Sequence, residues 1–120
     1  MANQIVWCDI PVVDLDRAIK FYSAVLGAPV RKEQLSGVPT GILPHNDGDV
    51  GGCLFAAVGE QPAARGLMIY LNANGRLDEA IAAVSANGGQ VIEPKHPIGP
   101  FGFRAIVIDS EGNRIALQSD

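Results

Sequence analysis

From Leu15 to Leu26, the residues Leu15, Ala18, Ile19, Tyr22, Val25 and Leu26 recur at three- and four-residue spacing. That period predicts a helix with one apolar stripe. Asp14 precedes it as an N-cap, Asp16 suits the positive end of the helix dipole, and Gly27 supplies a left-handed stop. Leu77, Ala80, Ile81 and Val84 predict a second helix, started by Asn74 or Gly75 and ended by Gly88-Gly89. An apolar run precedes each helix: Ile5 to Val13, then Leu67 to Ala73. Three strand-like segments follow each, separated by turn residues. They are Pro29–Leu35, Val38–Leu43 and Gly51–Val58, then Gln90–Glu93, Phe103–Ile108 and Arg114–Gln118. Residues Pro44 to Asp49 form a polar turn, and Asp109-Ser110-Glu111-Gly112-Asn113 forms a hairpin turn.

The two halves are copies. Shifted by 62 residues, Leu15, Asp16, Ala18, Ile19, Ser23, Ala24 and Gly27 fall on Leu77, Asp78, Ala80, Ile81, Ser85, Ala86 and Gly89, seven identities in thirteen positions. Apolar periodicity explains some of these but not the matching Asp, Ser and Gly. The chain therefore reads as two tandem βαβββ modules, 1–62 and 63–120, in a single α+β domain. A four-stranded sheet with one helix has a second face. That face must curl around a cavity, a partner or a ligand.

Composition narrows the functions. A chain of 120 residues, 48% hydrophobic and 18% charged, is expected to fold as one globular domain. The net charge of −4 and the lack of a basic run argue against nucleic acid. No stretch reaches the ~18 apolar residues of a membrane span. The opening MANQIVWCDIP has no signal-peptide pattern, so a cytoplasmic protein is expected, with Cys8 and Cys53 as free thiols.

The stretch VVDLDRAIKFYSAVLG resembles the opening helix motif of the glyoxalase/bleomycin-resistance/extradiol-dioxygenase (vicinal oxygen chelate) superfamily. ANGGQVIEP and DSEGNRIALQS resemble its second-half motifs, so the resemblance covers Val6 to Gln118. It implies a cupped eight-stranded mixed sheet around a ligand site, with helices on the outer face. It also implies a homodimer. Many members hold a divalent metal through four His, Gln or Glu side chains. The first position lies seven residues before the helix-motif Asp, here Trp7. The second falls in Gly52-Cys53-Leu54-Phe55, where only Cys53 can ligate. For the third, Leu67, Ile69 and Leu71 are expected to face the helix, which leaves Met68, Tyr70 and Asn72 toward the cavity, with Met68 the best match. The fourth is Ala116, where the family pattern has Glu. Hard divalent ions need oxygen or imidazole donors, so no metal and no cofactor are expected.

Without metal, Trp7, Cys53, Met68, Tyr70 and Ala116 make an apolar, aromatic lining for a small organic molecule. Trp7 is equally readable as core. The segment Lys95 to Phe103 reads as an irregular connection, with Phe101 as a lid, His96 as a polar contact and Phe103 near the ligand. The alternative is an ordinary turn whose Phe rings plug the barrel end. His45-Asn46-Asp47-Gly48-Asp49 lacks the acids of a calcium loop and reads as a turn, with His45 at the rim. Cys8 is expected to face the helix as an inert thiol. No basic neighbour in sequence activates Cys53, and no catalytic residue is identified. Three functions remain open. They are a metal-free binding protein with lyase- or isomerase-type turnover, a sequestering protein without turnover, and a metal-dependent glyoxalase-like enzyme whose ligands lie elsewhere.

Overall fold

The computed structural model describes residues 3–57 and 59–120. The expected strand ending at Val58 therefore reaches beyond them. Eight strands and two helices follow in the order β1 (Trp7–Pro11), α1 (Leu15–Leu26), β2 (Arg31–Leu35), β3 (Val38–Ile42), β4 (Gly51–Phe55), β5 (Ile69–Asn72), α2 (Leu77–Ala86), β6 (Gln90–Pro97), β7 (Phe103–Ile108) and β8 (Arg114–Ser119). This is βαβββ twice over, as the repeat predicts. The ladder bonds divide the strands into two four-stranded mixed sheets, ordered β1-β4-β3-β2 and β5-β8-β7-β6. In each, the first strand pairs parallel with the last, and the other pairs are antiparallel.

The helices begin and end by different means. Asp14 caps α1 by accepting from the Arg17 N–H, and Gly27 closes it at φ 69°. Helix α2 starts at Arg76, not at Asn74 or Gly75, and has no side-chain cap. The Arg76 guanidinium instead donates to the Val25 carbonyl near the end of α1. Tertiary contact between helices replaces the local cap.

One apolar core joins both modules. It contains Ala18, Phe21, Tyr22 and Val25 of α1, Leu77, Ala80 and Val84 of α2, Ile10 and Leu54 of the first sheet, and Val107, Ile115 and Leu117 of the second. Full burial of each large side chain contributes roughly 1.5–3 kcal/mol. Cys8, Ile69 and Leu71 pack against this core as strand alternation predicts. Leu67 does not: it is 97% exposed, because β5 begins only at Ile69. Ile5 and Val6 likewise precede β1 and are exposed.

The Asp109–Asn113 turn does more than reverse the chain. Glu111 accepts from the Val13 and Asp14 backbone N–H groups and from Arg17 Nε at 2.7 Å. Tyr22 donates to Asp109, and Asn113 donates to the Pro11 carbonyl. The hairpin of the second module thus clamps the strand-to-helix corner of the first. Burial alone would raise the Glu111 pKa. The Arg17 bond, the backbone N–H bonds and the Ser110 hydroxyl outweigh it and hold the carboxyl at about 2.

Candidate functional site

In each sheet, residues of one phase enter the core and residues of the other phase lie on a face that no helix covers. On the first sheet this helix-free face brings Trp7, Asp9, Gly51 and Cys53 together, because Trp7 pairs with Gly51 and Asp9 with Cys53. On the second, Tyr70 pairs with Ala116, Ala116 with Ile106, and Arg104 with both Gln118 and His96. The Val12 N–H bonds the Phe55 carbonyl, and the Ala73 N–H bonds that of Gln118. These equivalent bonds make Trp7 the counterpart of Met68, Asp9 of Tyr70, and Cys53 of Ala116. The second module carries one additional residue between strand and helix.

The first face is organised by Asp9, which the sequence reading missed. The Trp7 indole N–H donates to Asp9 Oδ1 at 2.9 Å, and the Cys53 thiol donates to the same oxygen at 3.2 Å. Trp7 is 43% exposed, so it is not a closed core residue. Its ring lies over β4 where Gly51 leaves room: a Cβ there would sit 2.8 Å from the indole. His45 meets Trp7 edge-on, with ring centroids 6.1 Å apart. Its Nδ1 is 2.9 Å from the Leu43 carbonyl, which fixes the proton on that nitrogen. Burial first, and then the bond to Asp9, push the Cys53 thiol up to about 11. It is a neutral group at physiological pH and not a nucleophile.

The second face is organised by Arg104, which was also missed. Its Nε donates to His96 Nε2 at 3.1 Å, and its Nη1 donates to the Tyr70 hydroxyl at 2.6 Å. Because Arg104 can only donate, His96 Nε2 accepts, and the His96 proton sits on Nδ1, 2.8 Å from the Pro94 carbonyl. Ala116 is fully buried and Ile106 nearly so. They form an apolar floor beside Tyr70.

Three sequence expectations for the segment after Glu93 are corrected. Lys95, His96 and Pro97 belong to β6, whose pairing with β7 shifts register between Glu93 and His96 and resumes at His96 and Pro97. Phe101 ends a 3-10 turn, is 70% exposed, and is tied by its carbonyl to Gln118, so its ring closes over nothing within the chain. Phe103 shares the strand phase of Ala105 and Val107, which places it on the helix side. There the Lys95 ammonium lies 5.2 Å from its ring centroid. Phe103 is therefore away from Tyr70 and Ala116.

A separate cavity of about 460 Å³ lies at the seam between β1 and β5. Cys8, Ile10, Leu43, Ile69 and Leu71 line it, and Tyr70 is the one expected site residue on its wall.

The four positions at which the resemblance implies metal ligands do not fit a hard divalent ion. Trp7 offers an N–H donor already engaged with Asp9, Cys53 a protonated thiol, Met68 a thioether and Ala116 a methyl group. Among the described residues, no three His, Cys, Asp or Glu side chains come close enough together to hold a metal.

Comparison with known proteins agrees with the architecture. Residues 4–117 match the family model of the Glyoxalase/Bleomycin resistance protein/Dioxygenase superfamily. A glyoxylase-like domain-containing protein from Didymella fabae is 33% identical over 129 residues, covering 96% of this chain and 92% of that protein. A glyoxalase/bleomycin resistance protein structure from Albidiferax ferrireducens superposes with a TM-score of 0.81 at 21% identity, covering 98% of this chain and 99% of that one. The fosfomycin resistance protein FosX from Mesorhizobium loti superposes at 0.66 with 16% identity, covering 100% and 94%. With its duplicated βαβββ unit and a family match over nearly its whole length, the chain belongs to the Glyoxalase/Bleomycin resistance protein/Dioxygenase superfamily.

Proposed function

We propose that this protein binds a small organic molecule on its helix-free sheet faces, without a metal ion. The observation that carries the reading is the donor set at Trp7, Cys53, Met68 and Ala116, which offers an aromatic and apolar surface where a metal-binding relative needs anionic or imidazole ligands. Trp7 and Tyr70, each 43% exposed, supply rings for stacking. Gly51 leaves the room in which the Trp7 ring lies over β4.

Sequestration is favoured over covalent turnover by Cys53. Its thiol, beside Asp9 on the first face, is held at about 11 and stays protonated. Lyase- or isomerase-type proton transfer is the rival reading, and it would have to run through Asp9, His96 or Tyr70.

A homodimer belongs to the same proposal. Leu35, Val38, Val50 and Trp7 are all more than 40% exposed, and β1, β2, β5 and β6 are edge strands. A second copy would cover these edges and turn two open faces into a cup. Sedimentation across a range of concentrations should show a dimer, and a strict monomer would contradict that part. No helix of the described residues is long and apolar enough to cross a membrane.

The experiment exploits the single tryptophan. Trp7 emission is followed while a panel of aromatic metabolites and antibiotics is titrated in, and bound ligand is recovered for mass analysis. Saturable quenching with unchanged ligand mass supports binding without turnover. Altered mass moves the assignment to an enzyme. No quenching by any planar compound removes the reading.

A further inference from the structure

We infer that the second module's face selects planar organic carboxylates, with Arg104 as the anion anchor. This rests on the small-molecule reading above and names its ligand class.

The chain is acidic, with a net charge of −4, yet this face carries unneutralised cations. Among the described residues Arg104 has no carboxylate within 4.0 Å. Its two side-chain partners are the neutral His96 ring and the Tyr70 hydroxyl. Those partners take Nε and one edge of Nη1, so they fix the guanidinium plane and, among the described residues, leave Nη2 without an acceptor. A fixed guanidinium with a free amino edge is the geometry that grips a carboxylate through paired N–H donors. Glu93 Oε1 is 4.0 Å from His96 Nε2, the nitrogen that also accepts from Arg104.

A second cation shares the face. Arg114 alternates with Ile115 on β8 and so lies in the phase of Ala116. Its Nη2 donates to the Gly66 carbonyl, while its buried Nε has no partner among the described residues. A buried unpaired donor calls for a ligand or water acceptor. Between the two arginines lies the half-exposed Tyr70 ring, backed by the buried Ala116 and Ile106. A flat hydrocarbon body would stack on that ring, with its acid group meeting Arg104. The matching face of the first module carries Asp9 where the second has Tyr70, so it repels the same anion.

The test uses uniformly 15N-labelled protein and three probes: 2-naphthoate, its neutral analogue 2-naphthylmethanol, and acetate. Side-chain Nε–H resonances of Arg104 and Arg114 are followed with the backbone amides of Tyr70 and Ala116. Naphthoate is expected to bind about tenfold tighter than the alcohol, the value of one added charged hydrogen bond. It is also expected to shift the Arg104 signal. Arg104→Gln should erase the preference by lowering naphthoate affinity to that of the alcohol. If Arg104→Gln unfolds, Arg104→Lys carries the test: it keeps the charge but loses the fork, and should lower naphthoate affinity more than that of the alcohol. Equal affinity for the two naphthyl probes, or a preference that survives Arg104→Gln, overturns the anchor and leaves the small-molecule reading standing. Acetate binding as tightly as naphthoate overturns the planar part. Binding by neither naphthyl probe overturns this inference, while the Trp7 titration with the full panel decides the reading beneath it.

Discussion

The two modules agree on the side that faces the helices and differ on the side that does not. Toward the core, Cys8 and Ile10 of β1 correspond to Ile69 and Leu71 of β5, all packed on one apolar cluster. On the opposite face the same two strands diverge. The first module gathers Trp7 and Cys53 around the Asp9 carboxylate, and the second gathers Tyr70 and His96 around the Arg104 guanidinium. Packing constrains volume and polarity at a shared interior, so copies there stay alike. A face that no helix covers is under no such constraint. The difference teaches that the two helix-free faces are asymmetric in charge, with an acid in one half and a base in the other, on a nearly symmetric frame.

If the clamp and the open faces have separate roles, substitutions in them must differ in kind. The largest effect belongs to the clamp. Glu111→Ala leaves two backbone N–H groups without their acceptor and releases the half-exposed Arg17 to water, and should cost about 3 kcal/mol in a urea denaturation measurement. Trp7→Phe on the open face should cost less than about 1 kcal/mol in the same measurement. Equal costs would erase the distinction between frame and face.

Acid should loosen the clamp next. The Glu111 carboxyl is held at about 2 in the folded chain against an ordinary 4.5. Its contribution is therefore full above pH 4.5 and is lost as pH falls toward 2. With solvent screening on the Arg17 side, the loss is roughly 2 kcal/mol. Denaturation midpoints across this window should fall for the native chain. They should fall by less in Glu111→Gln, which carries no charge to lose.

Smaller effects probe the first face alone. With the Cys53 thiol at about 11, iodoacetamide should modify it slowly at neutral pH. Asp9→Asn removes the neighbouring negative charge and should speed modification several-fold. An unchanged rate would show that burial alone protects the thiol. Smallest of all, Gly51→Ala places a methyl 2.8 Å from the Trp7 ring. Because that ring is 43% exposed it can swing aside, so stability should change by less than about 1 kcal/mol while Trp7 emission shifts.

Local chemistry was legible in the sequence, and long-range pairing was not. Helix α1 with its Asp14 cap and Gly27 stop, the two turns, and the phase of Trp7 and Tyr70 all follow from periodicity and residue type. The length of β6 was hidden by Pro94 and Pro97, which an edge strand tolerates because its outward N–H groups need no partner. The start of α2 was hidden because Arg76 bonds across to Val25. Arg104, inside the apolar run Phe103–Ile108, reads as a solvated charge until the register sets it beside His96 and Tyr70. Asp9 gains meaning only from Cys53 across the parallel pair.

The most direct measurement is divalent-metal stoichiometry of the purified protein before and after exposure to nickel, zinc, manganese and ferrous iron. The account predicts only trace metal that dialysis removes. One tightly held ion per chain or per dimer, lost when Asp9 or Cys53 is replaced, would contradict it.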